Sequence, residues 1–143
     1  SPSADMRDLF KLNVDEGTAG TAGVPGFRVG GKTGTAEIVV TGRYSKNHRL
    51  NSFVGAFPMD DPKFVILIML DEPKPLPETH GYATSGWNAV PTAGNVIARI
   101  APLLGVMPKF DETSSGKLKK YKTRLLKERK KADTQASLAG AGQ

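Results

Sequence analysis

The sequence predicts an α+β fold: a portion of an antiparallel sheet flanked by helices. Three observations carry this. Apolar residues at helical three-to-four spacing are confined to the two ends of residues 1–108. The middle, 33–70, is filled by β-branched and alternating segments. The turns between those segments are short, which favours antiparallel pairing of sequential strands.

Residues 4–15 are expected as a short helix, with Met6, Leu9, Phe10 and Val14 on one face and Ser3 as its N-cap. Gly17 to Gly23 is loop material, and Pro25-Gly26 makes a turn. A strand over 33–41 is rich in Thr, Ile and Val and closes at Gly42-Arg43. A second, over 51–57, alternates Phe53, Gly55 and Phe57 against Ser52, Val54 and Ala56. After a turn over 58–62, residues 63–70 form a continuous apolar strand, expected in the middle of the sheet and buried on both faces or nearly so. Residues 71–87, with three Pro and two Gly, are an exposed excursion. A helix follows over 91–104, Pro91 in its first turn and Val96, Ile97, Ile100, Leu103 and Leu104 on one face.

Charge divides the chain at the same place as periodicity does. Residues 1–108 hold ten Lys and Arg against ten Asp and Glu, whereas 109–143 hold ten against four, so the net charge of +6 sits in the tail. The expected organisation is therefore a folded portion, 1–108, and a basic, largely disordered tail, 109–143, in which 117–131 can form a basic helix and 134–143 is low-complexity sequence. A high pI that belongs to an appendage does not mark a nucleic-acid-binding protein, and no nucleic-acid partner is expected. The absence of cysteine excludes disulfides and thiol catalysis. The longest apolar run, 64–70, is too short to cross a bilayer. A start at Ser-Pro-Ser, without methionine, is expected of a processed product, a fragment or a designed chain.

Gly26-Phe27-Arg28-Val29-Gly30-Gly31-Lys32-Thr33-Gly34-Thr35 matches two motifs that imply different chemistry. Gly26, four residues, Gly31, Lys32 and Thr33 satisfy G-x-x-x-x-G-K-[ST], and Asp71 after the apolar run resembles the acidic residue that holds magnesium in nucleotide-binding enzymes. That motif must open a helix, whose free N–H groups stabilise phosphates. Here Thr35-Ala36-Glu37-Ile38-Val39-Val40-Thr41 is dominated by β-branched residues and meets Gly42 before a helix of useful length forms. Lys32-Thr33-Gly34 also matches the K-T-G element of penicillin-recognising serine acyl-transferases, which sits on a strand.

The second match extends well beyond the motif. A helix ending in Glu-Gly-Thr, a Gly/Ala loop, the segment from Val24 to Glu37, then Asn51-Ser52-Phe53-Val54-Gly55-Ala56-Phe57-Pro58, the later apolar strand, and Gly81-Tyr82-Ala83 before a C-terminal helix resemble the class B penicillin-binding proteins over about residues 1–106. The resemblance implies the C-terminal part of the β-lactamase-like transpeptidase fold of a division-type peptidoglycan D,D-transpeptidase, with an elongation-type enzyme as the near alternative. Lys32, Thr33, Gly34 and Thr35 then take substrate-binding positions. The strand offers a cation and two hydroxyls to the carboxylate of a D-alanyl-D-alanine stem peptide or a β-lactam, the N–H after Gly34 serves as an oxyanion donor, and a Cβ at Gly34 would hold substrate off the strand. No cofactor and no metal are implied. Implied partners are the N-terminal remainder of the same protein and division-complex membrane proteins, at the periplasmic face of the bacterial inner membrane.

The family also needs a Ser-x-x-Lys nucleophile and a Ser-x-Asn loop, both before the KTG strand. Ser114-Ser115-Gly116-Lys117 and Ser45-Lys46-Asn47 carry the patterns in the wrong places, the first in the polar tail and the second in the expected hairpin turn. The expectation is that the catalytic serine is not in this chain and that the chain alone is inactive. A non-catalytic penicillin-recognising sensor or scaffold is the alternative from another class; a P-loop protein is a distant one. His48 and His80 lack metal-ligand spacing, and Tyr82 and Trp87 belong either to an active-site rim or to packing against the sheet.

Overall fold

The structure, a computed structural model, describes residues 1–110, 123, 126–127 and 129–135, and of residues 46 and 47 it describes the backbone. The chain divides into two units, Ser1–Pro108 and Lys109–Gln143. In the second, the described residues from 123 onward are helical and exposed, helix including Thr134 and Gln135; the expectation for the rest of 134–143 and for Ser114 to Lys117 lies outside the described residues.

Helix α1 spans Pro2–Asp15, two residues earlier than expected. Pro2 occupies the first turn, where its missing N–H costs no bond, and Ser1, not Ser3, is the cap, its Oγ accepting from Ala4 N at 3.4 Å. Only Val14 of the anticipated apolar face is buried, while Met6 and Leu9 are exposed.

The sheet is β1 (Gly30–Val40), β2 (Arg43–Phe57) and β3 (Phe64–Asp71), antiparallel in the order β1-β2-β3. Val40 pairs with Arg43 around Thr41 and Gly42, both at positive φ, a two-residue turn whose twist matches that of the strands. The hairpin is thus tighter than the sequence suggested: Ser45 lies in β2 opposite Ile38 and not in a turn. An irregularity between Glu37 and Ile38 shifts the register beyond the KTG segment.

Two expectations about the apolar strand are corrected. β3 pairs only with β2 and is an edge among the described strands; the middle strand is β2. Nor is β3 buried on both faces. Its residues alternate, with Phe64, Ile66, Ile68 and Leu70 packed against the core and Val65, Leu67 and Met69 exposed. The reason is coverage: α2 and the loops lie on one face of the sheet only. That core gathers Phe53 and Phe57 from β2, Val14 from α1, Ala22 and Val24 from the connecting loop, and Val90, Ala93 and Ile97. Phe53 is fully buried, which favours folding by about 2–3 kcal/mol.

Helix α2, Ala89–Ile100, supplies the last three. Asn88 caps it, accepting from Ala89 N, and Gly94 allows close approach to the turn at Gly20–Ala22, where a Cβ would fall 2.7 Å from Thr21 O. The helix stops before Pro102, so Leu103 and Leu104 lie beyond it and are exposed, contrary to the expected face.

Candidate functional site

The segment Gly30 to Thr35 opens β1, the edge strand opposite β3. Asn13 Nδ2 of α1 donates to Gly31 O at 2.8 Å, and Lys32 Nζ donates to Thr33 O at 2.9 Å. Two carbonyls two residues apart are thus reached from outside the β1–β2 ladder, and the strand period of two sets the backbone N–H of Thr35 on the same open edge. Strand, not helix, continues from Thr33 to Val40, so the geometry a phosphate-binding loop requires is absent and the Gly26 to Thr33 match to that motif carries no nucleotide site.

Alternation separates the motif's side chains. Lys32 and Gly34 share the face of the sheet that bears Val54 and Leu67, because Lys32 pairs with Val54 and Val54 with Leu67. Thr33 and Thr35 share the face of Phe53 and Asn51. The exposed Lys32 side chain folds over the edge, with Nζ 3.3 Å from Thr33 Oγ1, which brings the cation and the first hydroxyl together. Thr33 Oγ1 also lies 3.5 Å from Thr18 Oγ1. Thr35 Oγ1 accepts from Ser85 N at 3.3 Å. The edge therefore presents an ammonium, two hydroxyls and a run of backbone donors and acceptors, an arrangement suited to an extended anionic peptide.

Glycines at the site differ in what they permit. At Gly34 an added Cβ would meet Ser52 Oγ at 2.6 Å, the end of a side chain that can rotate. At Gly31 it would meet Phe53 Cζ at 2.4 Å and Val54 O at 2.5 Å. Of these two glycines, Gly31 thus bears the tighter steric demand.

Beside this edge, Tyr82 and Trp87 stack with ring centroids 5.5 Å apart and planes 11° from parallel, and His80 meets Trp87 edge-on at 6.0 Å. Both rings of the stacked pair are partly exposed, so they pack on each other and not beneath the sheet. His48 is not alone either: its Nδ1 lies 3.6 Å from Glu72 Oε1.

Sequence reasoning passed over Asn51, Ser85 and Asn88. Asn51 is fully buried, with Nδ2 donating to Ala83 O and to Asn88 Oδ1 at 2.9 Å. The signal was present: alternation places Asn51 inward with Phe53 and Phe57, and an inward-facing amide must find partners. Ser85 lies in a segment read as an exposed excursion yet is 1% exposed, its hydroxyl donating to Ser52 O.

The family described as penicillin binding protein transpeptidase domain matches residues 1–97. The chain is 45% identical over 118 residues to the probable peptidoglycan D,D-transpeptidase FtsI of Caulobacter vibrioides, covering 76% of this chain and 20% of that protein. It is 39% identical over 110 residues to stage V sporulation protein D of Bacillus subtilis, covering 77% of this chain and 16% of that one. Among solved structures, the apo transpeptidase domain of Burkholderia pseudomallei penicillin-binding protein 3 superimposes with a TM-score of 0.63 at 33% identity, over 76% of this chain and 31% of that one. Penicillin-binding protein 3 of Mycobacterium tuberculosis, solved with ampicillin, gives 0.62 at 28% identity over 76% and 25%. The chain thus spans a fifth or less of the length of these curated relatives.

Proposed function

The chain belongs to the penicillin-binding protein transpeptidase family, and on that premise we propose that it is the C-terminal piece of a serine D,D-transpeptidase that cross-links peptidoglycan stem peptides during cell division and binds penicillin. One observation carries the reading: Lys32-Thr33-Gly34-Thr35 lies on an edge strand, with the Lys32 ammonium beside the Thr33 hydroxyl and with backbone groups along that edge outside the β1–β2 ladder. Lys32 and the hydroxyls of Thr33 and Thr35 hold the terminal carboxylate of the donor peptide or of a β-lactam. The N–H of Thr35 faces the carbonyl oxygen on which charge develops as the acyl bond forms. The strand edge aligns the donor backbone, and Gly34 lets it lie close.

The attacking serine and the lysine that activates it belong to a Ser-x-x-Lys element elsewhere in the parent protein. In acylation its Oγ bonds to the donor carbonyl carbon, D-alanine leaves with the proton taken from the serine, and an amine of a second stem peptide then displaces the enzyme. Without that serine this chain forms half of a site and turns over nothing. Relatives named for peptidoglycan transpeptidation support a place at the periplasmic face of the inner membrane, alongside other division proteins. Among the described residues no helix is long and apolar enough to cross a membrane.

A fluorescent penicillin, followed by denaturing electrophoresis, tests the reading. The parent should carry a covalent label blocked by unlabelled penicillin, and this chain alone should carry none. An unlabelled parent would support a non-catalytic sensor instead, and label at Ser45 or Ser114 of this chain would overturn the assignment of the nucleophile.

A further inference from the structure

Ser85 makes two bonds that tie one short segment to two strands. Its hydroxyl donates to Ser52 O of β2, and its backbone N–H donates to Thr35 Oγ1 of β1. Around it the segment is fixed by a closed ring of amides. Asn51 Nδ2 reaches both Ala83 O and Asn88 Oδ1, Asn88 Nδ2 returns to Ala83 O at 3.2 Å, and Asn88 Oδ1 also caps α2. Asn51 and Ser85 are the two polar residues buried among the described residues. Asn51 Oδ1 is buried without a partner among the described residues, but the donors of this ring are bonded, and buried donors bonded in this way fix one geometry of the segment that carries them.

That geometry has a chemical result at Thr35. A hydroxyl offers one proton and two lone pairs. The Ser85 N–H occupies a lone pair of Thr35 Oγ1, and no other bond to that oxygen occurs among the described residues. The oxygen is thus held as an acceptor on its inner side, and its O–H proton is free to be donated on the exposed side of the strand edge. We propose that Ser85, anchored by Ser52 O and the Asn51–Asn88 amides, is a positioning residue that orients the Thr35 hydroxyl as a donor to the carboxylate of the acyl donor. The proposal rests on the transpeptidase reading of the edge. It adds to that reading the reason why a loop between β3 and α2, remote in sequence, is built into the site. A hydroxyl free to rotate would present lone pairs to an anion as readily as its proton.

The test uses the full-length parent and three variants: Ser85→Ala, Thr35→Val and the two combined. Acylation by a fluorescent penicillin is resolved into the dissociation constant of the initial complex and the limiting acylation rate. A contact made equally before and during acylation appears in the first term. Ser85→Ala should raise that constant by about tenfold, with the limiting rate little changed and the melting temperature within a few degrees of wild type. Thr35→Val should do at least as much, and the double variant should bind no more weakly than Thr35→Val alone, because Ser85 acts through the hydroxyl already removed. Additive losses in the double variant, or a Ser85→Ala constant within twofold of wild type, would overturn the proposal.

Hydrogen–deuterium exchange separates this inference from the one beneath it. In Thr35→Val, the amide of Ser85 should exchange at least about tenfold faster while amides of β2 are unchanged. A faster Ser85 amide in a parent that no penicillin acylates would sink the transpeptidase reading and leave the contact intact. An unchanged amide would sink the positioning role whatever the acylation result.

Discussion

Lys32 and the two glycines flanking it divide between chemistry and packing. The Lys32 side chain is exposed, and among the described residues its bonds are to its neighbour Thr33 alone, so Lys32→Ala should leave the melting temperature of the parent nearly unaltered. Acylation should weaken by about 2–4 kcal/mol, the size of a lost charge-assisted contact. Rates within threefold of wild type would remove Lys32 from the site. At Gly31 an added methyl has nowhere to go, because the Phe53 ring and the Val54 carbonyl stand 2.4 and 2.5 Å from it. Gly31→Ala should cost about 1–3 kcal/mol of stability, read as a lowered denaturant midpoint. At Gly34 the obstacle is the Ser52 hydroxyl, the end of a side chain that can rotate, so Gly34→Ala should fold normally, and on the proposed substrate-binding role of this edge it should acylate slowly. If Gly34→Ala proved the less stable of the two, the packing of β1 on β2 would have to be redrawn.

Among the elements, α2 is placed by its small residues as much as by its large ones. Ala89, Val90, Ala93 and Ile97 face the core, and Gly94 lies against the turn at Gly20–Ala22. A bulky residue there must push the helix or the turn aside. Gly94→Val should therefore destabilise the fold by about 1–3 kcal/mol even though valine itself is apolar. It should also loosen the 83–88 segment, which α2 continues from Asn88, as faster amide exchange there; a stable variant with unchanged exchange would show that α2 is not clamped at this point. Much of this level was legible in the sequence. The strand over 33–41, the alternation of 51–57 and a C-terminal helix follow from residue type and spacing. The hairpin's two-residue turn was not, because the run from Arg43 to Leu50 is polar and gives no periodic signal that β2 has already begun. Nor was the end of α2, where Leu103 and Leu104 continue the apolar spacing after Pro102 has stopped the helix.

For the whole molecule, the two faces of the sheet contrast. One is closed by α2 and the connecting loops, and the other leaves Val54, Val65, Leu67 and Met69 exposed as neighbours across β2 and β3. Contiguous apolar surface of this kind attracts apolar dyes and other chains. This chain in isolation should bind anilinonaphthalene sulfonate, and Val65→Thr with Leu67→Thr should reduce the signal by half or more while circular dichroism stays the same. Binding unaffected by those changes would place the dye elsewhere. The second unit offers a separate test. Its sequence is predominantly basic and poor in apolar residues, so deleting 110–143 from the parent should change melting temperature and acylation little. A fall of more than a few degrees would make the tail part of the fold.

The amino-acid sequence alone determined the fold class, the strand that bears Lys32-Thr33-Gly34-Thr35 and the choice of that strand over a phosphate-binding loop. Each depends on local backbone preference, which β-branched residues and glycines state directly. Tertiary structure decided which side of β3 is covered, that Gly31 bears the steric load, and that Ser85 reaches Thr35 across 50 residues of chain. Coverage depends on which elements fold back onto the sheet, and a hydrogen bond between distant segments leaves no period in either of them. Both arise only when separate stretches of chain share one space.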